Sequence, residues 1–341
     1  VPLRFIAEAL TYDVDWNTRD NIISITDISS ISQMTMSKVY ESSQFFNKDY
    51  IKMEITDNGA IEIQGRTDLD KTHWMFRIEK DNQIDVIKEY HTIGSDHTYR
   101  HTFSLKNKLK EGKYKVSVYF KENHDKMYWS YYWNIPLSYE GGELFFPVSP
   151  VYTNNYLAVI RGSVTNPKSY LEMATTNASE KKAIMDLANT ITKDATSDYD
   201  KLLKVNNWVA QNIYYDWDSY LKGSYGRTDA YGTLANKKSV CQGYAELTQE
   251  LLRAAGIPAR LVTGHALGVS ASGRGWDEVD HKNSNHAWNE AFVDDRWVIL
   301  DTTWNSGNKY ENGTFKKGPM NYKYFDIDLE AFSYSHKILG L

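Results

Sequence analysis

The sequence predicts a multidomain chain: an α+β C-terminal domain preceded by an all-β sandwich-like module and a small α/β N-terminal fragment. Three observations predict it. The chain has 341 residues, more than one hydrophobic core comfortably organises. Between residues 30 and 150, alternating polar and apolar runs recur at strand spacing. After residue 178 the apolar period becomes helical for three successive segments, and strand-like runs then return. The expected domains are 1–29, 30–150 and 151–341.

In the first of these, Leu3, Ile6 and Leu10 share one helical face, with Pro2 near the first turn. The stretch YDVDWNTRDNIISITD then gives two short alternating runs around Asn17-Thr18-Arg19-Asp20. So small a unit does not stand alone. The opening residues lack a basic segment followed by an apolar one and do not read as a signal peptide.

In the second, IKMEITDNGAIEIQGRT sets a hairpin at Asp57-Asn58-Gly59. HWMFRIEK, HTYRHTFSL, KYKVSVYF and YWSYYWNIPL add four strands. In the run Met127 to Trp133, alternation puts Tyr128 and Tyr132 on one face and Trp129, Tyr131 and Trp133 on the other. One face is core. The other is a candidate stacking surface for a glycan or other polymer.

In the third, Ser179 to Thr192 reads as a helix capped by Ser179, with Ala183, Ile184, Leu187, Ala188 and Ile191 apolar. Ser197 to Ile213 is a second helix, with Leu202, Leu203, Val205, Val209 and Ile213 apolar. Cys241 to Ala255 is a third, stopped by Gly256 and Pro258. ARLVTGHAL, HAWNEAFV and RWVILDTTW follow as strands.

Composition narrows the function classes. Hydrophobic residues are 41% and charged residues 24% of the chain, which excludes global disorder. Lys plus Arg number 39 against 44 Asp plus Glu, so the basic footprint of nucleic-acid binding is missing. No apolar run approaches the roughly 18 residues that span a bilayer. A single cysteine, Cys241, rules out intramolecular disulfides and multi-cysteine zinc or iron–sulfur sites.

That cysteine opens the third predicted helix. Unpaired N–H groups and the helix dipole at this position favour a thiolate. The same N–H groups can hold the oxyanion of an acyl-transfer intermediate. A thiol nucleophile needs a base, and the base needs an orienting group. Downstream lies NHAWNEAFVDDRWVILDTTW, with Asp294-Asp295 as a two-residue hairpin turn. Val293 then pairs with Arg296, and Asp301 falls opposite Trp288. His286, two residues from Trp288, shares its face, so His286 and Asp301 become diagonal neighbours within side-chain reach. His265 and His281 are the competing bases. Trp288, beside His286, is a candidate substrate-binding residue. No H-E-x-x-H or G-x-S-x-G occurs, so zinc-protease and serine-hydrolase readings lack a motif.

Two resemblances attach to these residues. Val1-Pro2-Leu3-Arg4, Ala7-Glu8-Ala9-Leu10 and Val14-Asp15-Trp16 resemble half of the copper amine oxidase N-terminal-like repeat of secreted and wall-associated Gram-positive proteins. The resemblance implies an extracellular or cell-wall location and no copper ligands. Over about residues 178–335 the chain resembles the transglutaminase-like superfamily, in its bacterial secreted, kyphoscoliosis-peptidase-like branch. Val240-Cys241-Gln242-Gly243-Tyr244-Ala245, Gly256-Ile257-Pro258, Asn285-His286-Ala287-Trp288-Asn289-Glu290, Asp295-Arg296-Trp297 and Asp301-Thr302-Thr303-Trp304 carry it, with Tyr215-Asp216 and Ala230-Tyr231-Gly232 upstream.

This second resemblance implies a papain-like α+β fold with Cys241 as nucleophile, His286 as base and acid, and Asp301 as orienter. The Cys241 N–H is one half of an oxyanion hole, and Tyr231 and Asn236 are the candidates for the other. The calcium sites of the animal enzymes have no matching acidic cluster, so no metal or other cofactor is expected. The implied activity is thiol-dependent acyl transfer on protein or peptide amides, with peptidase or amidase hydrolysis at the cell surface. The alternatives are transglutaminase cross-linking with an amine acceptor, a non-catalytic cell-wall binding scaffold, and a peptidoglycan stem-peptide amidase. The expected partner is a protein or peptide substrate, with cell-wall peptidoglycan or a surface protein among the candidates.

Overall fold

The computed structural model describes residues 12–17, 22–27, 36–44, 49–67, 71–80, 84–105, 107–122, 129–147, 151–152, 154–155, 158, 167–268, 276, 284–327, 329–333 and 335–338. The expected helix over Leu3 to Leu10 lies outside them. So do His281, most of the loop Gly268–Asn285, and the side chains of the aromatic run Met127–Trp133. The chain divides into two compact units, Val1–Tyr156 and Leu157–Leu341.

In the first unit, β1 (Tyr12–Asn17) and β2 (Ile22–Asp27) pair as an antiparallel hairpin. Next come β3 (Met36–Ser37), β4 (Val39–Gln44), β5 (Asp49–Ile55), β6 (Ala60–Arg66), β7 (Lys71–Lys80) and β8 (Ile84–Thr92). They are followed by β9 (Thr98–Ser104), β10 (Gly112–Glu122), β11 (Trp129–Glu140) and β12 (Glu143–Pro147). Six of these form a sheet in the order β3-β12-β11-β10-β7-β8, and four form another in the order β4-β5-β6-β9.

The hairpin at Asp57-Asn58-Gly59 is present. Gly59 has φ +74°, and its N–H bonds the Thr56 carbonyl at 2.9 Å, a conformation glycine adopts without Cβ strain. Side chains from both sheets meet in an aromatic core: Phe76 of β7 stacks on Phe103 of β9 at 4.1 Å, and Trp74 meets Tyr99 at 5.1 Å. Strand β8 has no counterpart among the expected strands, because Asp85, Lys88 and Glu89 break its apolar alternation.

The second unit opens with a short 3-10 turn, Pro167–Leu171. Its first helices are α1 (Ala178–Thr192) and α2 (Asp198–Asn212). The cap of α1 is Asn177, not Ser179. The Asn177 side-chain oxygen Oδ1 accepts from the N–H groups of Ser179 and Glu180, so the helix begins one residue earlier than expected. Ser197 caps α2 through the Asp200 N–H.

Then follow β13 (Tyr214–Asp216), α3 (Trp217–Lys222), α4 (Ala230–Asn236), β14 (Lys238–Ser239), α5 (Cys241–Ala254), β15 (Ala259–Ala266), β16 (His286–Val293) and β17 (Arg296–Leu300). The unit closes with α6 (Thr302–Asn305), β18 (Lys309–Glu311), β19 (Thr314–Lys316), α7 (Leu329–Ser333) and β20 (His336–Ile338). One sheet runs β17-β16-β15-β20 and the other β14-β13-β18-β19. The expected strand RWVILDTTW is shorter than its apolar pattern suggests: it stops at Leu300, and Thr302–Asn305 is helical. The turn is the physical reason, since Asp301 bonds back to the N–H groups after it.

Candidate active site

Three elements converge. Helix α5 carries Cys241 as its first residue, and it starts there because Val240 is extended (φ −88°, ψ −178°) and offers no side-chain cap. The Gly243 N–H closes the first turn on the Val240 carbonyl at 3.0 Å. The amide at the very start of α5 is therefore not taken up by a cap, which suits an oxyanion. The thiol is half-buried.

Strand β16 carries His286 as its first residue, paired with Gly264 of β15. Across the hairpin, Val293 pairs with Arg296 and Asn289 with Leu300, the register that a two-residue turn requires. Asp294 and Asp295 adopt φ +52° and +60°, as such a turn demands. Asp301 follows directly after β17, and His286 Nε2 lies 2.6 Å from its Oδ2. Asn289 locks strand to helix: its Nδ2 donates to the Ala245 carbonyl of α5 at 3.0 Å. The Cys241 thiol lies close enough to the His286 ring to help raise its imidazole. With Nε2 committed to Asp301, Nδ1 is the nitrogen left to face the thiol.

Asp301 is fully buried, a costly place for a carboxylate unless its lone pairs are filled. They are. Oδ1 accepts the N–H groups of Thr303 at 2.9 Å and Trp304 at 3.1 Å, capping α6. Oδ2 accepts from His286 and also stands 3.3 Å from His336 Nε2. Burial alone would raise the Asp301 carboxyl. The charge and hydrogen bond of His286, and then His336, override it and hold the group well below the usual carboxylate range.

Burial likewise opposes the charged form of His286. The Asp301 charge and hydrogen bond, followed by Cys241, outweigh it and push the imidazole up to about 10. His336 is pushed down to about 4, chiefly by burial, so it stays neutral at ordinary pH. Ser335 Oγ lies 2.8 Å from its Nδ1. Because Asp301 can only accept, the His336 proton sits on Nε2.

His336 is the member that sequence reading missed. It lies far along the chain on β20, and only the pairing of Ala266 with His336 brings it to the site. No local spacing encodes that. Tyr215 carries the resemblance in sequence but has no role assigned there. Strand β13 runs parallel to β14, with Tyr215 opposite Ser239, two residues before Cys241. Burial pushes its hydroxyl up and the neighbouring Cys241 adds to this, so Tyr215 remains a proton donor.

The other expected residues fall elsewhere. Trp288 is only 1% exposed, packed against Phe332 at 5.2 Å and His336 at 5.2 Å. It is a core residue and presents no surface to substrate, because its face of β16 lies beneath α7 and β20. His265 is buried in β15. Tyr231 is half-buried, with the Arg227 guanidinium 5.7 Å from its ring centroid. Asn236 is exposed at the end of α4 and lines a recess of about 220 Å³ with Asp216, Ser219, Tyr225, Arg227 and Val240. That recess is polar and abuts the residue before the thiol.

His286, Asp301 and His336 also bring three metal-ligand atoms within 4.8 Å of one another. Both Nε2 atoms already share one carboxylate oxygen, and a cation there would strip His286 from its place between acid and thiol. The cluster is therefore a hydrogen-bonded relay.

The sequence profile of the transglutaminase-like superfamily matches residues 185–302. Kyphoscoliosis peptidase from Mus musculus is 27% identical over 139 residues, covering 40% of this chain and 20% of that protein. The match thus spans about a fifth of the relative's length. Among solved structures, a candidate cysteine protease from Cytophaga hutchinsonii aligns at 16% identity and TM-score 0.29, over 78% of each chain. The periplasmic domain of TgpA from Pseudomonas aeruginosa aligns at 13% identity and TM-score 0.32, over 80% of this chain and 77% of that one. Residues 185–302 of this chain are a domain of the transglutaminase-like superfamily.

Proposed function

We propose that this protein is a thiol hydrolase of protein or peptide amides, with Cys241 as nucleophile, His286 as base and acid, and Asp301 as orienter. The observation that carries the reading is the convergence of a thiol at a helix start, a neighbouring His286 ring, and the buried carboxylate to which that ring is hydrogen-bonded. In this mechanism Cys241 Sγ attacks the amide carbonyl, and the carbonyl oxygen gains the negative charge. The Cys241 N–H receives that oxygen, and the Tyr215 hydroxyl is the proposed second donor in place of Tyr231 or Asn236. His286 gives its proton to the leaving nitrogen as the C–N bond breaks, leaving a thioester. Water, deprotonated by His286, then releases the acid. Asp301 holds the imidazole with one nitrogen towards the thiol and stabilises its charged form.

The same thioester passed to an amine would give a cross-link, so water access to the thioester decides between hydrolysis and transamidation. An extracellular or cell-wall setting is part of the proposal, supported by the resemblance of residues 1–16. The test is turnover of a mixed peptide library, with and without a primary amine, by wild type and Cys241→Ala. Loss of all peptide turnover in Cys241→Ala supports the reading. Amine incorporation without hydrolysis would replace hydrolase with transglutaminase. Equal turnover by both proteins would overturn thiol chemistry altogether.

A further inference from the structure

We propose a zinc-binding site in the first unit, formed by Glu89 and His91 of β8 and His101 of β9. These strands are terminal strands of two different sheets, and the site lies where the two edges come together. Glu89 Oε2 stands 3.8 Å from His91 Nε2 and 3.9 Å from His101 Nε2. All three donor atoms lie within 4.8 Å of one another.

Zinc bonds of about 2.0–2.1 Å hold tetrahedral donors roughly 3.4 Å apart. The trio needs to close by only a fraction of an ångström to roughly one, a movement that side-chain rotation supplies. Two imidazoles and one carboxylate form a recognised donor set for this ion, with a fourth position left for water.

The surroundings support the assignment. His91 Nε2 is screened from solvent and has no hydrogen-bond partner among the described residues. A shielded ring nitrogen with nothing to bond is a cost that a metal ion removes. The His91 ring is held between Trp74 at 4.9 Å and Phe103 at 5.5 Å. His101 packs on Phe103 at 4.6 Å and on His91 at 4.1 Å. These contacts fix the direction of both Nε2 atoms, as outer groups around metal sites do. Lys108 Nζ approaches the other carboxylate oxygen, Glu89 Oε1, at 3.9 Å, leaving Oε2 for the ion.

Sequence spacing hides the site. His97 and His101 stand four apart, but His97 sits in a turn at φ +66° while His101 lies in β9. The true partners come from the preceding strand across a loop. The ion would tie together two strands that are terminal in their sheets among the described residues, a place where sheets are prone to fray or add strands. Nothing in this site depends on the thiol chemistry.

The test uses the full chain carrying Cys241→Ala, which removes the thiol as a competing ligand. The protein is stripped with a chelator and titrated with zinc chloride by calorimetry at neutral pH, with thermal unfolding followed in parallel. The expected result is one zinc ion per chain and a Tm raised by several degrees, as ligand binding to the native state requires. His101→Ala and the near-isosteric Glu89→Gln should each weaken uptake by about tenfold or more. Glu89→Gln carries the test if His101→Ala fails to fold, since it keeps side-chain volume and removes only the anionic ligand. Absence of zinc uptake, or uptake unchanged in Glu89→Gln, would overturn the site.

Discussion

Both oxygens of Asp301 are committed: one caps α6, and the other takes the imidazoles of His286 and His336. The two duties can be separated by substitution. Asp301→Asn keeps the volume and an acceptor for the cap but removes the charge. Burial then acts on His286 against Cys241 alone, and the imidazole loses most of what favours its charged form. Turnover should fall by about 10²–10⁴ with the fold intact, the scale seen when the acid of such a triad is neutralised. Asp301→Ala should add a loss of about 1 kcal/mol from the missing cap. Steady-state kinetics and urea unfolding of both variants check this, and full kcat/KM in Asp301→Asn would refute the orienting role. At this scale the sequence was partly legible. The Asp-Asp turn fixed the hairpin register, and the register brought His286 to Asp301. Trp288 misled, because a shared strand face says nothing about whether that face meets solvent or another layer. His336 was invisible, because its partner strand is set by tertiary pairing alone.

At the level of elements, the approach of α4 and β14 to the start of α5 places the thiol. Gly243 permits it. A Cβ there would lie 2.0 Å from Ser239 Oγ and 2.3 Å from Thr233 Oγ1. Alanine would otherwise favour a helix by about 1 kcal/mol over glycine. Here the clash decides the sign, because Ser239 and Thr233 are both buried and cannot move aside freely. Gly243→Ala should therefore destabilise the protein by roughly 1–3 kcal/mol net, read as a lower urea midpoint with unchanged slope. A raised midpoint would mean that α4 and α5 are not tightly seated. The three long helices were readable from their apolar period and stop signals. The short α3, α4 and α6 were not, because so few residues show no period. Strand β8 was missed for a related reason: Asp85, Lys88 and Glu89 fall on both faces of the strand and break its apolar alternation.

For the molecule as a whole, the sequence reading of a strand-rich region before a mixed α/β region agrees with the several β-sheets described in the first unit and the mixed helices and strands of the second. Alternation and helical period are long-range statistics and survive local exceptions. Residue roles depend on contacts between distant segments and were legible only where a hairpin made them local. The account's central claim is that His286 activates the Cys241 thiol as a nucleophile. With one cysteine in 341 residues, the rate of iodoacetamide alkylation of the native chain reads that pair directly. The imidazole pushed up to about 10 stays charged through neutral pH, so wild type should label rapidly at about pH 6, where an isolated thiol of pKa ~8.5 is almost wholly protonated. His286→Ala should slow that labelling on the order of tenfold or more. Equal rates in the two proteins, or no labelling of wild type until about pH 8.5, would contradict the account.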